Sequence, residues 1–150
     1  MTPKIPESTT SITPCLWFND NAQEAAKYYI TVFDNSEITQ SDTMMTWFKL
    51  GRQKVGLING GPMFPQSESF SFFVTCQGQE EVDRYWDRLV GDGGQEGQCG
   101  WCKDKFGVSW QIIPKQLGKA LANPDPAKAK TAMEAMIKMK KIIVADLEQV

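Results

Sequence analysis

The segment Gln23-Glu24-Ala25-Ala26-Lys27-Tyr28-Tyr29 superposes without gaps on Gln79-Glu80-Glu81-Val82-Asp83-Arg84-Tyr85, and Phe33 then falls on Leu89. An internal repeat constrains the fold strongly, because each copy is one supersecondary unit with an apolar face to bury. Both copies have helical periodicity. Residues 21–33 carry Ala22, Ala25, Ala26, Tyr29 and Phe33 on one stripe, and residues 79–90 carry Val82, Tyr85, Trp86 and Leu89. Asn19-Asp20-Asn21 is the expected cap of the first helix, and Gly91-Asp92-Gly93-Gly94 stops the second.

Each helix follows a strand of alternating character. In residues 11–18, Ile12, Pro14, Leu16 and Phe18 share one face, and Thr13, Cys15 and Trp17 the other. In residues 69–75, Phe70, Phe72 and Val74 oppose Ser69, Ser71, Phe73 and Thr75. After the first helix come a polar strand (residues 36–42) and a hairpin of residues 44–50 and 52–58 turning at Gly51. After the second comes the stretch 95–114, read as two strands joined by a turn at Asp104-Lys105-Phe106-Gly107. Trp47-Phe48-Lys49 and Trp101-Cys102-Lys103 occupy corresponding places. The unit is strand–helix–strand–strand–strand, used twice.

The expected organisation is a loose arm (1–10), a first module (11–60), a linker (61–66), a second module (67–114) and a helical extension (115–150). In the extension Asp125 is an N-cap with Pro126 at the first helical position. Ala129, Ala132, Met133, Met136, Ile137 and Met139 follow near helical spacing, a docking face or subunit contact. Lys138, Lys140 and Lys141 read as a solvated last turn, and Glu96, Lys103 and Asp104 as surface charges.

Composition removes several functions. A net charge of −2 does not suit a nucleic-acid partner, which selects clustered basic residues. The longest apolar run is too short for a bilayer span, and residues 1–8 lack the apolar core of a signal peptide, so a cytoplasmic protein is expected. There is no histidine, the usual proton shuttle and metal ligand. The cysteines Cys15, Cys76, Cys99 and Cys102 are expected as free thiols. Cys99 and Cys102, three apart in a strand, point to opposite faces and cannot close a disulfide without a bulge.

The repeat, with Asn59-Gly60-Gly61-Pro62, Gln98-Cys99-Gly100-Trp101, Lys103-Asp104-Lys105-Phe106-Gly107 and Trp110-Gln111-Ile112-Ile113-Pro114, closely resembles the PhnB-like group of the vicinal oxygen chelate superfamily. These are relatives of glyoxalase I and of bleomycin- and fosfomycin-resistance proteins, and many carry the name 3-demethylubiquinone methyltransferase. The resemblance implies an α+β fold of paired βαβββ modules, with curved mixed sheets around a cavity and C-terminal helices added. It implies a homodimer. In metal-dependent relatives the ligand positions fall, within a residue or so, near Thr13, Asn59, Ser69 and Gln111. All four are neutral here, and a divalent cation selects carboxylates or imidazoles, so no cofactor is expected and a metal is disfavoured.

The cavity that the resemblance implies would be lined, by strand alternation, by Thr13, Cys15, Trp17, Ser69, Ser71, Phe73, Ser109 and Gln111, together with Asn59 and with Trp47 and Trp101 at its mouth. The reading is metal-independent binding of a small polar–aromatic molecule. The alternatives are a metal-dependent lyase or isomerase of the glyoxalase type, and the methyltransferase of the group's name.

Overall fold

Helix α1 (Ala22–Val32) follows strand β1 (Cys15–Phe18) and precedes β2 (Ser36–Ser41), β3 (Met45–Leu50) and β4 (Gln53–Asn59). Helix α2 (Gln79–Gly91) follows β5 (Ser71–Cys76) and precedes β6 (Gln95–Glu96), β7 (Trp101–Lys103) and β8 (Ser109–Pro114). The sheets have the same topology, β1-β4-β3-β2 and β5-β8-β7-β6. In each, the strand before the helix lies parallel to the last strand of its module. The fold is the α+β pair of βαβββ modules with mixed sheets. The computed structural model describes residues 2–3 and 9–148, so most of the arm expected at 1–10 lies outside the described residues. Contacts divide the chain into two units, Met1–Phe64 and Pro65–Val150.

In the first unit α1 buries Ala22, Ala25, Ala26, Tyr29 and Val32, so the stripe ends on Val32, with Phe33 only half-buried. Tyr29 stacks on Phe48 of β3, and Leu16, Phe18, Val55 and Leu57 complete the layer. The cap differs from the expected one. Asn21 makes no side-chain bond to the helix; instead the Asn59 Oδ1 accepts the Ala22 N–H at 2.9 Å. Asn59 Nδ2 donates to the Thr43 carbonyl at 3.1 Å, so one amide ties the end of β4 to the start of α1 and to the loop before β3.

In the second unit α2 buries Val82, Trp86 and Leu89 against a layer containing Cys76, Cys102, Trp110 and Ile112; Tyr85 stays half-exposed. The stretch 95–114 forms three strands rather than two, since β6 pairs with β7 before β7 turns into β8. The turn falls at the expected tetrad, with Gly107 N–H donating to the Asp104 carbonyl and Gly107 at φ 83°.

Asp104 is buried, contrary to its reading as a surface charge. One carboxylate oxygen accepts the N–H groups of Phe106 (2.8 Å) and Val108 (3.1 Å), and the other accepts the Trp110 indole N–H (2.8 Å). A buried carboxylate is tolerated when its acceptor sites are filled, and here the turn it closes fills them.

Helices α3 (Lys115–Leu121), α4 (Pro126–Ile137) and α5 (Val144–Glu148) complete this unit. Asp125 caps α4 as expected, accepting the Ala127 N–H at 3.0 Å. The methionine stripe divides: Ala132 and Met139 are buried, while Met133 and Ile137 remain 42% and 58% exposed. The basic turn is not simply solvated. Lys141 lies 3.1 Å from both Asp83 and Asp87 of α2, and Lys140 lies 3.6 Å from Glu96. Gln79 holds the same segment by both ends of its amide, donating to the Ile142 carbonyl and accepting the Val144 N–H.

Candidate functional site

Each sheet packs one face on its helix and leaves the other open. In the first unit, strand register puts Cys15, Trp17, Met45, Trp47, Gly56 and Ile58 on the open face. Trp17 lies over Gly60, where a Cβ would come within 2.2 Å of the indole, and its Nε1 donates to the Gly61 carbonyl at 2.8 Å. Phe64 meets the same ring edge-on at 4.9 Å. Trp47 lies over Gly56 in the same way, with the Lys54 ammonium 5.1 Å from its ring. The Gly60-Gly61 pair therefore seats a tryptophan.

In the second unit the open face carries Ser71, Phe73 and Thr75 from β5, Ser109 and Gln111 from β8, and Trp101 and Lys103 from β7; Ile113, on the same side of β8, is covered by Leu117, Met139, Ile142 and Leu147. Gln111 Nε2 donates to Ser71 Oγ at 2.9 Å. Phe73 is 60% exposed. A cleft of about 470 Å³ opens beside these strands, lined by Glu68, Gln95, Glu96, Gly97, Gln98, Trp101, Cys102, Lys103 and Ser109. All but Glu68 come from the stretch 95–114. Ser109 Oγ is buried and has no hydrogen-bond partner. Lys103 pairs with Glu68, whose carboxyl is held below the usual range by hydrogen bonding and charge from that ammonium.

Of the expected site residues, Ser71, Phe73, Trp101, Ser109 and Gln111 share the open face of the second unit. Cys15, Trp17 and Trp47 share that of the first, with Thr13 half-buried just before β1. Ser69 lies in the loop before β5, exposed and bonded to Ser67 Oγ at 2.7 Å. Asn59 faces α1, not the open side, because β4 reaches one residue further than read. Lys103 and Glu68 were not anticipated here. Alternation from Trp101 signals Lys103, whereas Glu68 arrives from a loop without periodicity.

The two buried thiols, Cys76 and Cys102, are poor nucleophiles. Burial, with the Asp104 charge beside it, pushes Cys102 up to about 12. Burial, and then Glu81, pushes Cys76 to about 12 as well. All four cysteines are free, and Cys99 sits in a tight turn at φ 58°.

The sequence model of the 3-demethylubiquinone-9 3-methyltransferase family matches residues 10–113. The chain belongs to this family. Among solved structures, a PhnB protein from Bacillus cereus is 28% identical, with TM-score 0.63, over 70% of this chain and 99% of that one. A protein from Pseudomonas aeruginosa shares the fold at 20% identity and TM-score 0.58, over 71% and 98% of the two chains. So does the fosfomycin resistance protein FosX of Listeria monocytogenes, solved with Mn(II) and sulfate, at 15% identity and TM-score 0.57 over 77% and 97%. No curated protein matches. The family member described here is a PhnB-like protein of the vicinal oxygen chelate superfamily.

The internal repeat lets the open faces of the two units be compared position by position. Aligning Gln23 on Gln79 puts Cys15 on Ser71 and Trp17 on Phe73; strand pairing then puts Ile58, not Asn59, opposite Gln111 in the repeat. An apolar side chain thus takes the place of a donor. The same register puts Met45 on Trp101 and Trp47 on Lys103, two residues away from the expected match of Trp47 with Trp101. Among the described residues no group of three or more Cys, Asp or Glu could hold a metal. No helix among them is long and apolar enough to cross a membrane.

Proposed function

We propose that the protein binds a small polar–aromatic molecule without a metal, in the cleft beside Trp101, Lys103 and Ser109. The observation that carries this reading is the buried Ser109 hydroxyl, unpartnered at the lining of a cleft with an indole wall. An unpaired buried hydroxyl is costly, and a bound ligand or water restores the missing bond. The donor set around it favours binding over metal chemistry, since Gln111 and Ser71 are already engaged with each other.

The test is a ligand-observed NMR screen of aromatic fragments on the wild type and on Trp101→Leu, with native mass spectrometry of freshly purified protein. Fragments are expected to bind the wild type and to be lost in the variant, and the native mass to carry no stoichiometric Zn, Mn, Ni or Fe. Fragments retained unchanged in Trp101→Leu, or one metal per chain, would overturn the reading.

The family's name favours a second reading, methyl transfer. The strand-to-helix turns here are Asn19-Asp20-Asn21 and Gln77-Gly78, neither of them the glycine-rich turn that cradles a nucleotide. A calorimetric titration with S-adenosylmethionine is expected to be flat, and measurable heat of binding would revive methyl transfer. A homodimer is part of the proposal, supported by the exposed Met133 and Ile137 of α4. A monomeric mass by light scattering at micromolar concentration would refute it.

A further inference from the structure

We infer that the ligand is an aromatic anion, whose carboxylate or similar group displaces Glu68 from Lys103 and accepts a second hydrogen bond from Ser109. The inference rests on the cleft being the binding site, and it assigns the chemical class of the occupant.

Three observations carry it. First, the positive charge at the cleft can change partners. Lys103 lies on the open face, directly across the β7–β8 pair from Ser109. Its partner Glu68 belongs to a loop and keeps 62% of its side chain exposed. An exposed ion pair contributes little to stability, so exchanging one carboxylate for another at the same ammonium costs the fold almost nothing. Glu68 thus stands where a ligand carboxylate would.

Second, the other charge at the cleft is committed elsewhere. Glu96 faces the helix side, paired across the strands with Cys102. Its carboxylate lies 3.6 Å from Lys140 and 3.5 Å from the Trp86 indole N–H. Glu96 thus faces two donors on the helix side of the sheet, away from Lys103, and offers the cleft no free carboxylate for a cationic ligand.

Third, the remaining lining matches the rest of such a molecule. Trp101 offers a flat apolar wall, and the unpartnered Ser109 hydroxyl stands beside Lys103. An ammonium and a hydroxyl together can donate to two oxygens of one planar anion, and bonds to a charged acceptor are the stronger kind.

The experiment compares benzoate with the isosteric neutral benzamide, by calorimetry or ligand-observed NMR, on three proteins of matched thermal stability. The wild type is expected to prefer benzoate about tenfold, the usual worth of one charged hydrogen bond. Glu68→Gln removes the internal competitor and is expected to tighten benzoate several-fold while leaving benzamide unmoved. Lys103→Met is expected to abolish the preference. Equal binding of both probes to the wild type would overturn the anion inference and leave the cleft as a binding site. Weaker benzoate binding in Glu68→Gln would also overturn it. Binding of neither probe would remove both the inference and the proposed function beneath it.

Discussion

Asp104 shows how one side chain can decide the shape of a sheet edge. It closes the turn between β7 and β8, the strands that carry Trp101, Lys103, Ser109 and Gln111. Its two oxygens have divided roles, one for backbone N–H groups and one for the Trp110 indole. Asp104→Asn must turn its NH2 toward one of these donors. The expected loss is about 1–3 kcal/mol, the usual cost of a buried polar mismatch, read as a lower urea midpoint with an unchanged slope. No loss of stability would mean that water enters the turn. Gly60 makes a parallel case in the first unit. A methyl there would occupy space held by the Trp17 ring, so Gly60→Ala is expected to break the indole bond to Gly61 and cost about 1–3 kcal/mol. Near-UV circular dichroism and tryptophan fluorescence would report the displaced ring. An unaltered spectrum would refute the packing account. Thiol chemistry gives a third check at this scale. Exposed Cys15 is expected to react with iodoacetamide in the folded protein, while Cys76 and Cys102, both raised to about 12, stay unmodified until denaturant is added. Intact mass and peptide mapping would show the order.

The elements themselves were largely legible in the chain, and the departures have physical causes. Helical stripes survive in sequence because a period of 3.6 residues distinguishes a buried face over several turns. The cap of α1 did not, because it comes from Asn59, far along the chain, while three nearer polar residues compete for the role in sequence. Asn59→Ala is expected to cost about 1 kcal/mol as a lost N-cap, with amide exchange in the first turn of α1 accelerating most. Protection unchanged at Ala22 would show that another acceptor takes over. Strand faces were legible for the same reason as helix stripes: alternation assigned Ser71, Phe73, Ser109 and Gln111 to one side, where they stand. Register was not. A slip of two residues keeps every side chain on its face, so Trp47 and Trp101 look equivalent in sequence although pairing separates them. Half of the cleft's ion pair was likewise hidden, since Glu68 arrives on a loop whose residues have no period to read.

For the chain as a whole, the repeat explains two modules but not how the second acquired its extra helices. Residues 139–144 are fastened to that module by three kinds of bond. Cys99 and Gly100 donate their N–H groups to the carbonyls of Met139 and Lys140 at 2.8 Å, Gln79 clamps Ile142 and Val144, and Lys141 bridges Asp83 and Asp87. Beneath them Met139, Ile142 and Leu147 join Ile113 and Leu117 in one apolar cluster. Gly100 suits this seam because its φ of 86° lies in the left-handed region that side chains disfavour; a Cβ would also press on the end of the Ile113 side chain at 2.7 Å. Only the polar part of this attachment titrates. Asp83 is held below its ordinary value of 3.8 by its hydrogen bond from Gln79 and then by Lys141, effects that outweigh the opposing burial. Lys141 is raised in turn: burial pulls it down, but Asp87 and Asp83 more than offset that. A depressed carboxylate stabilises the folded form above its unfolded pKa and loses that contribution as pH falls through the lower folded value. A raised lysine contributes fully below its unfolded value of 10.5 and loses it as pH rises past the folded one. The attachment is therefore strongest between these limits and loosens first below pH 3.8 on the acid side. Amide exchange at Ile142 and Val144 is expected to accelerate there relative to Ile112 in β8, and Asp83→Asn should produce the same loosening at neutral pH. Because the apolar cluster does not titrate, the segment should stay docked while its polar fastening is lost. Complete release of residues 139–148 in the variant at neutral pH would show that charge, not burial, holds the extension in place.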